Sequence, residues 1–236
     1  MVTPDIHEIS RLLAGSELFA SLSTDALNEL AIHAEVRTIP EKEVIFEKGA
    51  LGSELFAILN GRVKISSFSE DGKEIIFTIL ESGNFFGETA LLDGQNRSAT
   101  CTAIEDCQMV VIEREGFTSY LQKYPALAIN LLSLLSQRLR KKDEQVEEIS
   151  FYQLPARLAR KLLALAAEHG DVVGSRIDIA MNISQNELAN MVCASRESVN
   201  KQLSQWAKDK LISLSSRLIT IEDKDRLLEI GRKSER

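Results

Sequence analysis

The chain has 236 residues, 44% hydrophobic and 27% charged, which is room for one large or two small domains and enough apolar content for a packed core. No apolar run approaches bilayer-spanning length, and Met1-Val2-Thr3-Pro4-Asp5 lacks the basic and then apolar pattern of a secretion signal. The net charge of −7 argues against a nucleic-acid binder taken whole, but residues 1–150 balance at −10 and residues 151–236 at +3. A mildly basic module following an acidic one fits a DNA reader with a separate sensor, and equally fits uneven surface charge. Three scattered cysteines, Cys101, Cys107 and Cys193, suit a reducing cytoplasm better than a disulfide framework, so a cytoplasmic location is expected.

In chain order, residues 5–33 read as short helices, with apolar repeats at Ile6, Ile9, Leu12 and Leu13 and then at Leu27, Leu30 and Ala31. Ser23 or Thr24 is the expected cap of the second. From Val36 to Ile112 the pattern changes to short strands, at 44–46, 55–59, 62–68, 74–80, 99–104 and 108–112. Asn60-Gly61 and Asp71-Gly72 read as hairpin turns, because Asn and Gly accept positive φ. Many short antiparallel strands point to a sandwich or barrel.

Residues 117–149 read as one long helix. Leu132, Leu135, Leu139, Lys142, Val146 and Ile149 recur at alternating intervals of three and four, a heptad seam with one polar member. The seam predicts a partner helix, most simply the same helix of a second copy, with packing on the chain's own barrel as the alternative. Helices are then expected at 154–169, 185–192 and 196–207, short strands at 211–214 and 218–221 turning at Ser215-Ser216, and a last helix near 224–230. Three helices and a hairpin in this order describe a winged helix.

Within ISQNELANMVCASRESVNKQL, residues 183–203, Ser184 and Glu187 form a capping box, Cys193-Ala194 is a turn, and Ser195 caps a second helix. Val199, Leu203 and Trp206 face inward on it, which makes Trp206 a core residue. Arg196, Glu197, Asn200 and Lys201 face outward near its start. This is a helix-turn-helix, whose second helix enters the major groove. Arg196 can donate to guanine O6 and N7, Glu197 can accept from cytosine N4, and Lys201 can reach a guanine or a phosphate. Ser184, Gln185 and Ser195, at helix starts, suit phosphate contacts. A solvated charged face on a small helical bundle is the plainer alternative.

The run FFGETALLDGQNRSAT, residues 85–100, carries a second constellation. Gly87 permits a backbone closed to other residues, and Glu88 and Thr89 open one short helix. Arg97 adds a fixed positive charge and Ser98 a hydroxyl donor at one spot. Glu88 is left to accept from hydroxyls beside a phosphate. The set describes a pocket for a phosphate attached to a ribose.

Here the sequence resembles a known family. FGETALLDGQNRSAT resembles the phosphate-binding cassette of cyclic-nucleotide-binding domains, and ASRESVNKQL resembles the recognition helix of the Crp–Fnr (catabolite activator) family. Gly49, Gly61 and Gly83 fall where that family's barrel turns carry glycine, and the likeness runs from Phe19 to Ile221. It implies an α+β chain: a cyclic-nucleotide-binding β-barrel of jelly-roll type at 1–116, a dimerisation helix at 117–150 and a winged helix-turn-helix at 151–236. It also implies that Glu88 binds the ribose 2′-hydroxyl, and that Arg97 and Ser98 bind the cyclic phosphate with the backbone of Gly87 and Ala99. Arg196, Glu197 and Lys201 would read a TGTGA-like half-site of double-stranded DNA, in a homodimer that contacts RNA polymerase.

The departures shape the expectation. Where the cyclic-AMP member of the family grips adenine with Thr and Ser, an ungapped count places Lys142 and Asp143. Asp143 could accept from guanine N1 and N2, which keeps cyclic GMP open beside cyclic AMP. Lys142 could reach a second phosphate, as a cyclic dinucleotide would need. A barrel that binds no nucleotide, on a constitutive DNA-binding protein, stays open as well. Cys193 stands where a turn glycine is usual. Iron–sulfur sensing needs a cysteine cluster near the N-terminus, and none precedes Cys101. His7, His33 and His169 lie outside the expected barrel, against a haem role. No nucleophile–base pair, metal cluster or partnered carboxylates mark an enzyme.

Overall fold

The structure, a computed structural model, describes residues 6–174, 176–180, 184–215 and 218–232. Residues 1–5 and Ser216, half of the expected wing turn, lie outside the described residues. The chain divides between Arg138 and Leu139 into two compact units.

The first unit opens with α1 (Ile6–Ala14) and α2 (Thr24–Ala31). Ser23 is the cap of α2, its hydroxyl accepting from the Ala26 N–H at 3.3 Å. The strands are β1 (Ala34–Ile39), β2 (Val44–Phe46), β3 (Glu54–Asn60), β4 (Val63–Phe68), β5 (Glu74–Leu80), β6 (Phe85–Phe86), β7 (Thr100–Ala103) and β8 (Cys107–Glu113), with helix α3 (Glu88–Asp93) between β6 and β7. They form two antiparallel sheets, β1-β8-β3-β6 and β2-β7-β4-β5.

Alternation along a strand sends successive side chains to opposite faces. On β3, Phe56 and Ile58 join the core between the sheets with Val63, Phe86, Cys101 and Met109. Leu55 and Ala57 point the other way, into a core shared with α1, α2 and Phe117. β8 does the same with Met109 and Val111 against Val110 and Ile112. Burial on both faces accounts for the near-continuous apolar runs that mark these strands.

Four expectations need correction. Residues 117–149 are not one helix: α4 (Arg114–Lys123) ends at Tyr124, and α5 (Pro125–Phe151) begins anew. Pro125 disfavours the helical conformation at the residue before it, and Tyr124 accordingly sits at φ −121°, ψ 79°. Asn60-Gly61 does not close a hairpin, because β3 and β4 belong to different sheets; it is a tight crossing that packs against Asp106 and Cys107. Asp71-Gly72 does close one, with Gly72 at φ 75° and Phe68 opposite Glu74. β1 and β6 add to the expected strands: β1 carries charges at Glu35 and Arg37, and β6 is two residues long, so neither shows a strand pattern in the sequence.

The second unit contains the C-terminal half of α5, then α6 (Leu154–His169), β9 (Gly170–Val173), β10 (Arg176–Ala180), α7 (Gln185–Met191), α8 (Arg196–Lys208), β11 (Ile212–Ser215), β12 (Leu218–Ile221) and α9 (Lys224–Arg232). The fourth correction is the β9–β10 hairpin between the first two helices of the winged helix. It joins the wing in one sheet, β11-β12-β10-β9. Leu158, Leu162, Leu188, Val199, Leu203, Trp206 and Ile221 form the core. Trp206 is 3% exposed, as its helical spacing predicts.

Along α5 the expected seam is largely open to solvent: Leu132, Leu139, Val146 and Ile149 are 48–63% exposed. Leu135 differs, packing partly against the first unit's core beside Leu127 and Leu131.

Candidate functional site

The residues singled out in the first unit converge on the turn between β6 and α3. Gly87 has φ 86°, and a Cβ there would lie 2.7 Å from the Glu54 carbonyl oxygen and 2.8 Å from an Arg97 guanidinium nitrogen. Both conformation and space therefore require glycine. Gly52 makes room on the other side, since its Cβ would lie 2.6 Å from Arg97 Nε.

Arg97 fills this cradle. It is 5% exposed, donates to the carbonyls of Gly87 at 2.8 Å and Glu54 at 2.9 Å, and lies 4.2 Å above the Phe46 ring. Its Nε is buried with no hydrogen-bond partner among the described residues. Burial pushes the guanidinium below its ordinary value, and the carboxylates of Glu54 and Glu88 counteract that. Glu88 is buried in the first turn of α3 and accepts from the Thr89 hydroxyl at 3.3 Å. Ser98 and Thr89 are exposed, and Ala99 is buried. A fixed cation, a buried carboxylate and an exposed hydroxyl thus share one turn, a donor and acceptor set suited to a phosphate with a neighbouring hydroxyl.

Sequence reasoning missed Arg138. Its guanidinium donates to the Phe85 carbonyl at 2.6 Å, lies 4.0 Å from the centre of the Phe85 ring, and pairs with both Glu88 and Glu17 at 3.3 Å. The signal was available: Arg138 stands four residues before Lys142, hence on the same helix face. A search for apolar seam positions passes over it. Lys142 and Asp143 are exposed on the part of α5 that belongs to the second unit.

In the second unit, the Ser184 hydroxyl accepts from the Glu187 N–H at 3.2 Å, and the Glu187 carboxylate accepts from the Ser184 N–H at 2.7 Å, which completes the capping box. Ser195 caps α8, accepting from the Ser198 N–H at 3.1 Å. Cys193 adopts φ 51°, so the turn keeps its left-handed residue although a side chain now occupies it. Ser184, Gln185, Ser195, Arg196, Glu197 and Lys201 are exposed. Asn200 is half-buried, and its side-chain oxygen has no partner among the described residues. Arg196 and Glu197 occupy the first turn of α8 and Lys201 the second, so the exposed start of that helix carries fixed charge of both signs.

Among the described residues no group of three or more metal-binding side chains comes together, and no helix is long and apolar enough to cross a membrane.

Comparison with known proteins covers both units. A cyclic nucleotide-binding domain model matches residues 36–124, and a Crp-like helix-turn-helix domain model matches residues 156–230. The CRP-like cAMP-activated global transcriptional regulator of Mycobacterium tuberculosis is 30% identical over 224 residues, which is 95% of this chain and all of that protein. The cyclic AMP receptor protein of Thermus thermophilus is 29% identical over 93% of this chain and 98% of its own length. Among solved structures, the Thermus thermophilus catabolite activator protein aligns over 92% of this chain and 98% of its own, with 30% identity and a TM-score of 0.53. A CooA mutant from Carboxydothermus hydrogenoformans aligns over 91% and 94% with 20% identity and a TM-score of 0.75, a likeness of fold.

Proposed function

Since this chain belongs to the Crp–Fnr family of transcription regulators, we propose that it is a DNA-binding regulator gated by a cyclic nucleotide and active as a homodimer. The observation that carries the ligand half is Arg97, a buried cation in a cradle that two glycines keep open, with one donor unpaired. An anionic phosphate oxygen satisfies that donor and replaces the attraction that burial from water removes. Glu88, buried beside it, accepts from the ribose 2′-hydroxyl, and Ser98 donates to the phosphate.

The DNA half rests on α8. Arg196 and Glu197 meet base edges of a TGTGA-like half-site, Lys201 meets a further guanine or a phosphate, and Ser184, Gln185 and Ser195 hold phosphates. The homodimer is supported by the exposed apolar seam of α5, whose Leu132, Leu139, Val146 and Ile149 gain by pairing with the same residues of a second copy. Ligand then acts as a population shift, favouring the arrangement in which the two recognition helices match successive major grooves. RNA polymerase is the partner expected downstream. A cytoplasmic setting is expected, since the unlinked Cys101, Cys107 and Cys193 suit reducing conditions.

Calorimetry of the purified chain against cyclic AMP, cyclic GMP and cyclic di-GMP tests the ligand. Anisotropy on a TGTGA-type palindrome, with and without the nucleotide that binds, tests the gating. Asp143 favours cyclic GMP over cyclic AMP if it accepts from guanine, so the order of the two affinities reads out its role. DNA binding that ignores all three nucleotides would leave a constitutive regulator.

A further inference from the structure

We infer that Glu17 is a positioning residue for ribose recognition, acting through Arg138 on Glu88; this rests on the cyclic-nucleotide reading above. Arg138 is shared between two carboxylates at equal distance, 3.3 Å to Glu17 and 3.3 Å to Glu88. The Phe85 carbonyl and ring also contact the guanidinium, and the two carboxylates share what remains of it. Glu17 is held in place. Its N–H donates to the Gly83 carbonyl at 2.9 Å, and its own carbonyl accepts from the Asn130 side chain at 3.1 Å. The Glu17 carboxylate is therefore presented to Arg138 by backbone anchored on both sides.

The consequence concerns how freely Glu88 can serve a ligand. A carboxylate that balances a neighbouring cation alone gives up part of that pairing when a hydroxyl claims it. With Glu17 holding the other edge of the same guanidinium, the cation stays compensated while Glu88 turns its lone pairs to a 2′-hydroxyl. Without the charge on Glu17, Arg138 closes on Glu88 with both edges, and the hydroxyl competes poorly. A generic charge effect has the opposite sign, because deleting a negative charge favours any anionic phosphate.

The test compares Glu17→Gln with the unaltered full-length chain by calorimetry. Cyclic AMP and cyclic GMP are each run beside their 2′-deoxy analogues. The expected result is binding of the ribonucleotide weakened about three- to tenfold, in the range of coupling between residues of one charged network, with the 2′-deoxy analogue unchanged. Glu17→Asp, which keeps the charge, recovers part of the loss. Thermal melting checks that each variant is folded. Equal weakening of both ligands, tighter binding, or no change overturns the inference. Failure of the unaltered chain to bind either nucleotide overturns the cyclic-nucleotide reading, and this inference with it.

Discussion

Glu148 and Arg160 meet at 2.6 Å across the break between α5 and α6. The break is two non-helical residues, Tyr152 and Gln153, and the Arg160 guanidinium also lies 4.7 Å from the Tyr152 ring. The hydrogen bond to Glu148 holds Arg160 above its ordinary value. Both side chains are about a third exposed, so the pair contributes less than about 1 kcal/mol to stability. Its effect is on geometry. Arg160→Met, which keeps the apolar stem, is expected to melt within a few degrees of the parent but to narrow the gap between nucleotide-bound and nucleotide-free DNA affinity. Anisotropy titrations in both conditions measure that gap, and an unchanged gap would separate the ion pair from gating.

Under the proposed function Arg97 would both hold the turn and bind the phosphate, so its variants are expected to differ. Arg97→Ala strands the carbonyls of Gly87 and Glu54 and strips the face of Phe46, with an expected cost of about 2–3 kcal/mol in stability beside the loss of ligand. Arg97→Gln leaves one amide to serve a carbonyl and is the cleaner probe of ligand loss. Denaturant melts with parallel calorimetry distinguish them. Nucleotide affinity surviving in the Gln variant would remove Arg97 from the site.

Cys193 keeps a left-handed conformation that costs a side-chain-bearing residue about 1–2 kcal/mol. Cys193→Gly is expected to raise stability by about 0.5–1 kcal/mol, since the relief of strain is partly offset by the greater freedom of unfolded glycine. Cys193→Val, branched at Cβ, is expected to lower it by more than about 1 kcal/mol. Urea unfolding of both variants checks the order, and a Val variant as stable as the Gly variant contradicts it.

On α8 two exposed cations are expected to behave differently. Arg196→Ala is expected to cost about 1–3 kcal/mol on the cognate palindrome and to relax discrimination at one base pair. Lys201→Ala, if it meets a phosphate, weakens all sequences alike and lowers the salt slope by about one. Titrations at several salt concentrations on cognate and scrambled duplexes assign each role.

Leu139→Asp puts a charge on a surface that is already 61% exposed, so the single chain tolerates it. In a pair of α5 helices the same change buries two like charges. Analytical ultracentrifugation is expected to show the variant as a monomer at concentrations where the parent sediments as a dimer. Two identical profiles would exclude the seam as the interface.

Much of this was legible in the sequence because local chemistry decided it. Ser23, Ser184 and Ser195 cap the helices that their spacing marked, since a cap needs only the next turn of its own chain. Val199, Leu203 and Trp206 are buried as their period requires. What escaped depended on partners distant in sequence. β1 forms because β8 pairs with it, and the Asn60-Gly61 turn changes sheets because β4 finds β7 rather than β3. In the site, Gly87, Glu88 and Arg97 could be read from one short run, but Glu17 and Gly52 could not. Nothing in their neighbours says that a residue 121 positions away, Arg138, or one 45 positions away, Arg97, will need them.

The two-sided burial of β3 bears on how this chain can vary over time. Phe56 and Ile58 answer to one core, Leu55 and Ala57 to another, and Glu54 at the head of the strand lends its carbonyl to Arg97. Neutral drift in this stretch is confined to changes that two separate neighbourhoods accept at once. Surface loops can diverge freely while the four apolar positions, in any lineage that keeps the architecture, exchange only among side chains of similar bulk.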